Sequence, residues 1–321
     1  MSSFPRISVV IPVYNAEETL MELVARLGNM LPRLANRFEV VLVDDGSRDK
    51  SWDVIRTLSQ KYGWVRGIKL MRNYGQHNAL LCGIRAAECD TIITMDDDLQ
   101  HPPEEIPKLL DKLGEGYDVV YGPPEKEQHG FWRNLASQTT KFVLQTIMGA
   151  ETARNVSAFR AFRAQVCESF ASYRSPFVSI DVLLSWGTAS FGYVKVKHEV
   201  RYGDRSNYTF RKLLVHAFNM MTGFSILPLQ LASLIGFTFT FLGFVILIYI
   251  VGRYMIFGSS VPGFSFLASL ISVFSGTQLF SLGILGEYLA RVHFRMMDRP
   301  PYVTRSRTSE GSRQDALSVE G

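Results

Sequence analysis

Apolar residues come in short β-rich runs at positions 7–12, 38–43, 65–70, 91–95 and 118–121, and each of the first four is followed by a stretch of helix length. In those stretches, residues 16–34, 49–62, 76–88 and 103–113, apolar side chains recur every three or four positions, the period of an amphipathic helix. Strands alternating with helices predict an α/β domain on a mostly parallel sheet, with helices on both faces. After Gly122 the regularity fades. Pro123-Pro124 and residues 125–130 predict a polar loop of the kind that covers active sites, and residues 131–148 form an amphipathic stretch. Strand character returns over residues 191–200, with Val194, Val196 and Val200 facing one way and Lys195, Lys197 and Glu199 the other.

The last third of the chain follows another pattern. Residues 213–252 contain no Asp, Glu, Lys or Arg, and Pro228 divides that span into two unlike parts. Residues 231–251 then form a 21-residue apolar segment, and residues 264–286 a second of 23 uncharged residues with Gly, Ser and Thr interspersed. Each is long enough to cross a bilayer. Residues 211–228 begin with Arg211 and Lys212 and continue with Leu213, Leu214, Phe218, Met221 and Phe224, the composition of a helix lying in the membrane interface. The expected organisation is a folded domain over 1–210, a juxtamembrane amphipathic helix over 211–228, two transmembrane helices over 229–290 and a tail over 291–321. Ser, Arg and Gly dominate the tail, which is expected to be largely disordered after 304.

Charge orients this hairpin. Arg201, Arg205, Arg211 and Lys212 precede it, Arg291, Arg295, Arg299, Arg305 and Arg307 follow it, and the connection has only Arg253, so both flanks are expected in the cytoplasm. The first six residues lead straight into a strand-like run without a charged leader and long apolar stretch, so the folded domain is expected on the cytoplasmic face. The net charge of +4 is modest and its basic residues crowd the membrane flanks. That distribution argues against nucleic acid and for anionic lipid headgroups. Cys82, Cys89 and Cys167 have no metal-ligand spacing and are expected as buried thiols.

The candidate chemistry sits at strand ends. Asp96-Asp97-Asp98 closes the fourth apolar run, at the rim where open α/β sheets bind ligands. Asp96 and Asp98 lie two apart, and such hard oxygen ligands suit Mg²⁺ or Mn²⁺, which recruit substrate phosphates as further ligands. Gln100 offers a neutral side-chain oxygen to the same ion. The first run ends in Pro12-Val13-Tyr14-Asn15 and the second in Asp44-Asp45-Gly46-Ser47. A carboxylate in the second block can accept the imide N–H of uracil, while Asp45 or Ser47 can equally cap the following helix. The third run ends in Arg72-Asn73-Tyr74-Gly75-Gln76, a cation, an amide and a helix start suited to phosphate or sugar oxygens.

Taken together, Ile-Pro-Val-Tyr-Asn, Val-Asp-Asp-Gly-Ser, Asp-x-Asp-Leu-Gln with Pro102-Pro103-Glu104, and the later Ser281-Leu282-Gly283-Ile284-Leu285-Gly286-Glu287-Tyr288 resemble the polyprenyl-phosphate glycosyltransferases of glycosyltransferase family 2. The resemblance runs from about residue 7 to 302. It implies a GT-A nucleotide-sugar-binding domain followed by an interfacial helix and a two-helix transmembrane hairpin, in a homo-oligomer of the bacterial inner membrane that serves the cell envelope, lipopolysaccharide included. It implies a nucleotide-sugar donor, a UDP-sugar, and a polyprenyl-phosphate acceptor such as undecaprenyl or dolichyl phosphate. Carried over by residue, Asp98 and Gln100 are metal ligands, with Asp96 beside the ribose or the metal. Pro12, Tyr14, Asp44, Asp45, Gln76, Asp96 and Asp97 line the nucleotide pocket. Arg133, Ser137, Arg201 and Ser206 hold the acceptor phosphate, and Asp96, Asp98, Arg133 and Arg201 form the catalytic set.

On this reading the acceptor is a phosphate monoester, largely dianionic at neutral pH, so no strong general base is needed. An in-line displacement inverts the anomeric carbon. Glu104 or Glu105 remains a candidate acid or base, although carboxylates at a helix start also have a structural use. Two departures set the chain apart. Relatives carry an acidic residue before the segment aligned with Phe159-Arg160-Ala161, where this chain reads Arg154-Asn155-Val156-Ser157-Ala158, and Pro123-Pro124-Glu125 stands where they carry an arginine. Arg154, Asn155, Ser157 and Asp181 are therefore the candidate readers of the sugar. A processive polysaccharide synthase needs a Gln-x-x-Arg-Trp segment that this sequence lacks. A catalytically silent membrane scaffold retaining the fold is the alternative from another class.

Overall fold

A computed structural model describes residues 6–125, 155–199, 227–257 and 263–308. The expected parallel runs are present as β1 (Arg6–Val13), β2 (Arg37–Asp44), β3 (Val65–Leu70) and β4 (Thr91–Thr94), with β1 lying between β4 and β2 and β2 passing on to β3. Crossovers run through α1 (Leu20–Leu34), α2 (Ser51–Lys61) and α3 (Gln76–Ala86), and α4 (Ile106–Gly114) leads into β5 (Val119–Tyr121). The central strands are apolar along almost their whole length because both faces are covered. Alternate side chains go to opposite cores. Ile7, Val9 and Ile11 pack with Leu23, Leu27 and Leu109 on one face, while Val10, Val41 and Val43 pack with Leu80, Leu81 and Leu183 on the other. Leu183 belongs to α5 (Ile180–Gly187).

Three strands depart from the sequence pattern. β6 (Arg160–Arg163) inserts antiparallel between β4 and β5, so those two parallel strands never touch. Of the expected strand over 191–200, only β7 (Phe191–Tyr193) pairs continuously, parallel to β5, and Val196 adds one isolated bridge to Pro124. At the far edge, β8 (Thr304–Arg307) pairs antiparallel with β3, which corrects the expectation of disorder immediately after 304. The Gly67 N–H donates to Thr308 Oγ1 at 2.9 Å and the Met71 N–H to the Val303 carbonyl at 2.9 Å, extending the pairing at both ends. An edge strand is held by backbone hydrogen bonds, so its side chains can be polar and composition gives no warning of it.

The described residues 227–257 and 263–297 belong to a separate compact unit. Within it α6 (Leu227–Phe257) and α7 (Phe264–Met296) pack on one another, the Phe239 and Phe274 rings standing edge to face at 6.2 Å. Gly243 makes that approach possible, since a Cβ there would lie 2.9 Å from the Phe274 ring. Pro228 falls in the first turn of α6, where a missing N–H breaks no helical bond. Among the described residues one window, Leu229–Ile246, is long and apolar enough to cross a membrane, and only 6% of it is buried. The second expected span lies inside α7 and is helical throughout, with Ser, Gly, Thr and Gln interrupting its apolar surface. Residues 211–226 of the expected interfacial helix, and the expected loop and amphipathic stretch over 126–148, lie outside the described residues.

Truncation after residue 302 removes β8 and uncovers the β3 edge. The truncated chain is expected to unfold at lower temperature and to aggregate with rising concentration in light scattering; wild-type values in both measurements would show that β8 contributes nothing.

Candidate active site

The C-terminal ends of β1 to β4 share one rim, and the turn leaving each of them contains a residue in the left-handed region: Asn15 (φ 54°), Gly46 (φ 69°), Gly75 (φ 96°) and Leu99 (φ 59°). At Gly46 a Cβ would stand 2.6 Å from the backbone carbon of Arg72 and the nitrogen of Asn73, so the β2 and β3 turns touch through main chain. Leu99 is the costly case, a branched aliphatic residue in a conformation that glycine and asparagine usually occupy. Its side chain joins the core that holds Met95 and Ile106, and this burial offsets the strain. The reversal turns Leu99 inward and leaves Asp98 and Gln100 partly exposed at the rim.

Carboxylates tie the turns together. Asp45 accepts the N–H groups of Tyr74 and Gly75 on its two oxygens at 2.7 and 2.8 Å, joining the β2 turn to the start of α3. Asp97 accepts the Tyr14 N–H at 3.1 Å, joining β4 to β1, and Gln76 Nε2 donates to Asp96 Oδ1 at 2.6 Å, joining α3 to β4. The Asn15 N–H donates to Ser47 Oγ at 3.1 Å while Asn15 Oδ1 accepts the Arg48 N–H at 2.8 Å. Burial pushes the Asp45 carboxyl up to about 6 against the pull of its two amide donors. Asp97 is pushed up to about 7, by burial first, with the Tyr14 amide opposing and Asp96 and Asp98 adding to the rise.

Asp44 is completely buried at the end of β2. One oxygen accepts the Ser47 N–H at 3.0 Å; the other has no hydrogen-bond donor among the described residues, and Lys69 Nζ stands 3.8 Å from it. A buried carboxylate oxygen without a donor is expensive unless a ligand supplies one. Tyr14, at 44% exposure, lies open on the same rim, whereas Pro12 is buried within β1. The rim thus gathers these residues in different settings: Asp45 and Asp97 brace backbone, Tyr14 is exposed, and Asp44 holds a buried oxygen with no hydrogen-bond donor among the described residues.

For a divalent cation the fit rests on the donor set. Asp96, Asp98 and Gln100 stand on one turn and offer hard oxygens, and the Gln100 N–H fixes Asp98 by donating to its Oδ1 at 3.1 Å. Among the described residues no three His, Cys, Asp or Glu side chains form a ready-made cage. Mg²⁺ and Mn²⁺ bound with nucleotides need no such cage, because diphosphate oxygens and waters complete their shell. The residues present fit the ion.

Other candidates are committed elsewhere. Glu104 binds Arg26 through two nitrogens, at 3.1 and 2.6 Å, and that bond holds its carboxyl below the usual range. Glu105 is buried and accepts the Lys197 N–H at 3.0 Å. Neither is poised as a general acid. Asp181, a candidate sugar reader, is also buried and pairs with the guanidinium of Arg160, while Ser157 Oγ accepts the Phe159 N–H at 3.2 Å. Asn155 borders a cavity of about 470 Å³ with Tyr121, Phe191 and Tyr193. Arg133, Ser137, Arg154, Arg201 and Ser206 lie outside the described residues. Sequence reasoning missed the Arg160–Asp181 pair and the Arg26 clamp. An arginine in an otherwise apolar strand was the available signal for the first.

Residues 8–170 match the family described as Glycosyl transferase family 2. A Pseudomonas aeruginosa protein named undecaprenyl-phosphate 4-deoxy-4-formamido-L-arabinose transferase is 35% identical over 299 residues, 92% of this chain and 88% of its own. The Pectobacterium atrosepticum protein of the same name is 33% identical over 306 residues, 94% of each chain. A solved structure of glucosyl-3-phosphoglycerate synthase from Mycobacterium tuberculosis, in complex with Mn²⁺, uridine diphosphate and glucosyl-3-phosphoglycerate, superposes with a TM-score of 0.51 at 19% identity, over 68% of this chain and 78% of that one. That likeness is one of fold.

Because Asp45 binds its proton more tightly folded than unfolded, its contribution to stability grows as pH falls from about 6 to about 4 and is lost as pH rises through that window. The stability of wild type relative to Asp45→Asn is therefore expected to increase on acidification across this window, by on the order of 1–3 kcal/mol, and to be flat above pH 7. Denaturant titrations at each pH measure it. A difference independent of pH would mean that Asp45 has an ordinary carboxyl.

Proposed function

The chain belongs to glycosyltransferase family 2, and from that premise we propose that it transfers one sugar from a nucleotide-sugar to a membrane polyprenyl phosphate, undecaprenyl phosphate in a bacterium, with inversion at the anomeric carbon. The observation that carries this reading is the spacing of two features on one rim. Asp44 ends β2 with a buried oxygen that has no hydrogen-bond donor among the described residues, and Asp96 and Asp98 follow β4, with β1 between them. Two strand spacings are about 10 Å, comparable to the reach from a base to its diphosphate. The chain's relatives named as undecaprenyl-phosphate sugar transferases align over almost its full length.

In this proposal Asp44 accepts the ring imide N3–H that uracil has and cytosine lacks, and Tyr14 packs beside the nucleoside. Asp96, Asp98 and Gln100 would hold Mg²⁺ or Mn²⁺, which supplies charge neutralisation of the departing nucleoside diphosphate. The acceptor phosphate falls to Arg133, Ser137, Arg201 and Ser206, where guanidinium and hydroxyl groups suit an anionic oxygen cluster. An acceptor oxygen forms the bond to the anomeric carbon as the bond to the diphosphate breaks. The acceptor is largely dianionic already, so no side chain has to remove a proton. The engagement of Glu104 by Arg26 and of Glu105 by Lys197 supports a route without a carboxyl base. The apolar α6, paired with α7, anchors the enzyme in the inner membrane, with its catalytic domain on the cytoplasmic side.

The test is turnover with undecaprenyl phosphate, Mn²⁺ or Mg²⁺, and a panel of radiolabelled UDP-sugars that includes UDP-glucose and UDP-4-deoxy-4-formamido-L-arabinose. Label is expected to enter the lipid phase with at least one donor. Asp98→Ala is expected to lower that rate by about 10²-fold or more. Undiminished turnover in Asp98→Ala would remove the metal role, and absence of lipid-bound label with every donor would overturn the transferase reading in favour of a silent scaffold.

A further inference from the structure

Arg160 heads the fully buried large side chains, 2% exposed, and it carries a charge into the core. Its guanidinium pairs with the carboxylate of Asp181, 8% exposed, and its Nε donates to Thr94 Oγ1 at 3.0 Å. Thr94 in turn donates to the Ala158 carbonyl at 2.8 Å, and the Tyr121 hydroxyl donates to Asp181 Oδ1 at 3.2 Å. Thr94 and Tyr121 are both register partners of Arg160, so the three stand in one row across β4, β6 and β5. Thr94 is the final residue of β4, two positions before Asp96. The network also reaches the rim from another side. Ile180, next to Asp181, donates its N–H to His77 Nδ1 at 3.3 Å, and His77 adjoins Gln76, whose amide holds Asp96.

Stability alone does not account for such a pair. Taking two charges out of water is costly, and apolar replacements of similar volume are commonly neutral or stabilising. The rim has a need that apolar packing does not meet. Three consecutive carboxylates repel one another where the chain has just left the sheet ladder, and an ion with near-octahedral demands tolerates little displacement of its ligands.

We propose that Arg160 and Asp181 are positioning residues of the metal-diphosphate site: the pair locks Thr94 at the end of β4 to the start of α5, and so fixes the turn that carries Asp96 and Asp98. The inference rests on the transferase reading and deepens it. Both residues are buried, and neither is assigned a contact with substrate.

The experiment measures Mn²⁺ binding by the loss of the free-ion electron paramagnetic resonance signal, with UDP present, beside thermal unfolding and turnover. Wild type, Asp98→Ala and the double variant Arg160→Met/Asp181→Leu are compared as full-length protein. The double variant is expected to unfold within a few degrees of wild type, to bind Mn²⁺ about tenfold or more weakly and to lose turnover by about 10- to 100-fold. Should it fail to fold, Thr94→Val cuts the same link while keeping the side-chain shape, and the same weakening is expected. Wild-type Mn²⁺ affinity and turnover in whichever variant folds would overturn the proposal while leaving the transferase intact. If wild type shows no UDP-dependent Mn²⁺ binding that Asp98→Ala abolishes, the metal-site reading itself fails, and the proposal with it.

Discussion

Five aspartates, Asp44, Asp45, Asp96, Asp97 and Asp98, stand at the ends of two strands separated only by β1, and their mutual repulsion is the constraint that the rest of the rim answers. The answer is local and repeated. Each strand end reverses at once through a left-handed residue, which brings a backbone amide or a side-chain amide from the neighbouring turn within reach of a carboxylate. Every such bond does two things: it compensates a carboxylate partly removed from water, and it sews one βα turn to the next. The rigidity of the rim and the tolerance of its charge therefore have the same origin.

That construction explains which parts of the molecule could be read from the chain. A strand buried on both faces must be apolar, so Val9-Val10-Ile11 and Val40-Val41-Leu42-Val43 announced themselves, and the rim motifs followed because the turns sit directly after those runs. β6 and β8 were hidden for opposite reasons. β6 is four residues long and begins and ends in arginine, one buried through its ion pair, so its pattern resembles a loop. β8 is a polar edge strand whose partners are the main-chain groups of β3.

The site divides in the same manner. The placement of Asp96, Asp98 and Asp44 at the rim was legible, because carboxylates crowded at the ends of apolar strands are costly unless a cation, a ligand or an amide meets them. What could not be read was which carboxylates would brace and which would face the rim, because that depends on amides 29 to 83 positions away in sequence, those of Tyr74 and Gly75 for Asp45 and of Tyr14 for Asp97. The pairing of Asp181 was hidden in the same way. Its partner Arg160 arrives from a strand that the apolar pattern did not disclose, and a carboxylate that pairs with a buried guanidinium is no longer available to read a sugar.

The division among the three consecutive aspartates has a further consequence. Asp97 accepts the Tyr14 amide, and burial pushes its carboxyl up to about 7, while Asp96 and Asp98 share the same partly exposed turn. Asp97 is the member of the three directed at backbone, and Asp96 and Asp98 carry the oxygens that the proposed cation would meet. A single turn with one inward leucine and one bracing aspartate thus presents, from consecutive residues, the oxygens proposed for the cation, provided that the strand beneath it does not move. Thr94, held by Arg160, ends that strand, and Met95 beyond it is still bonded to the Val10 carbonyl.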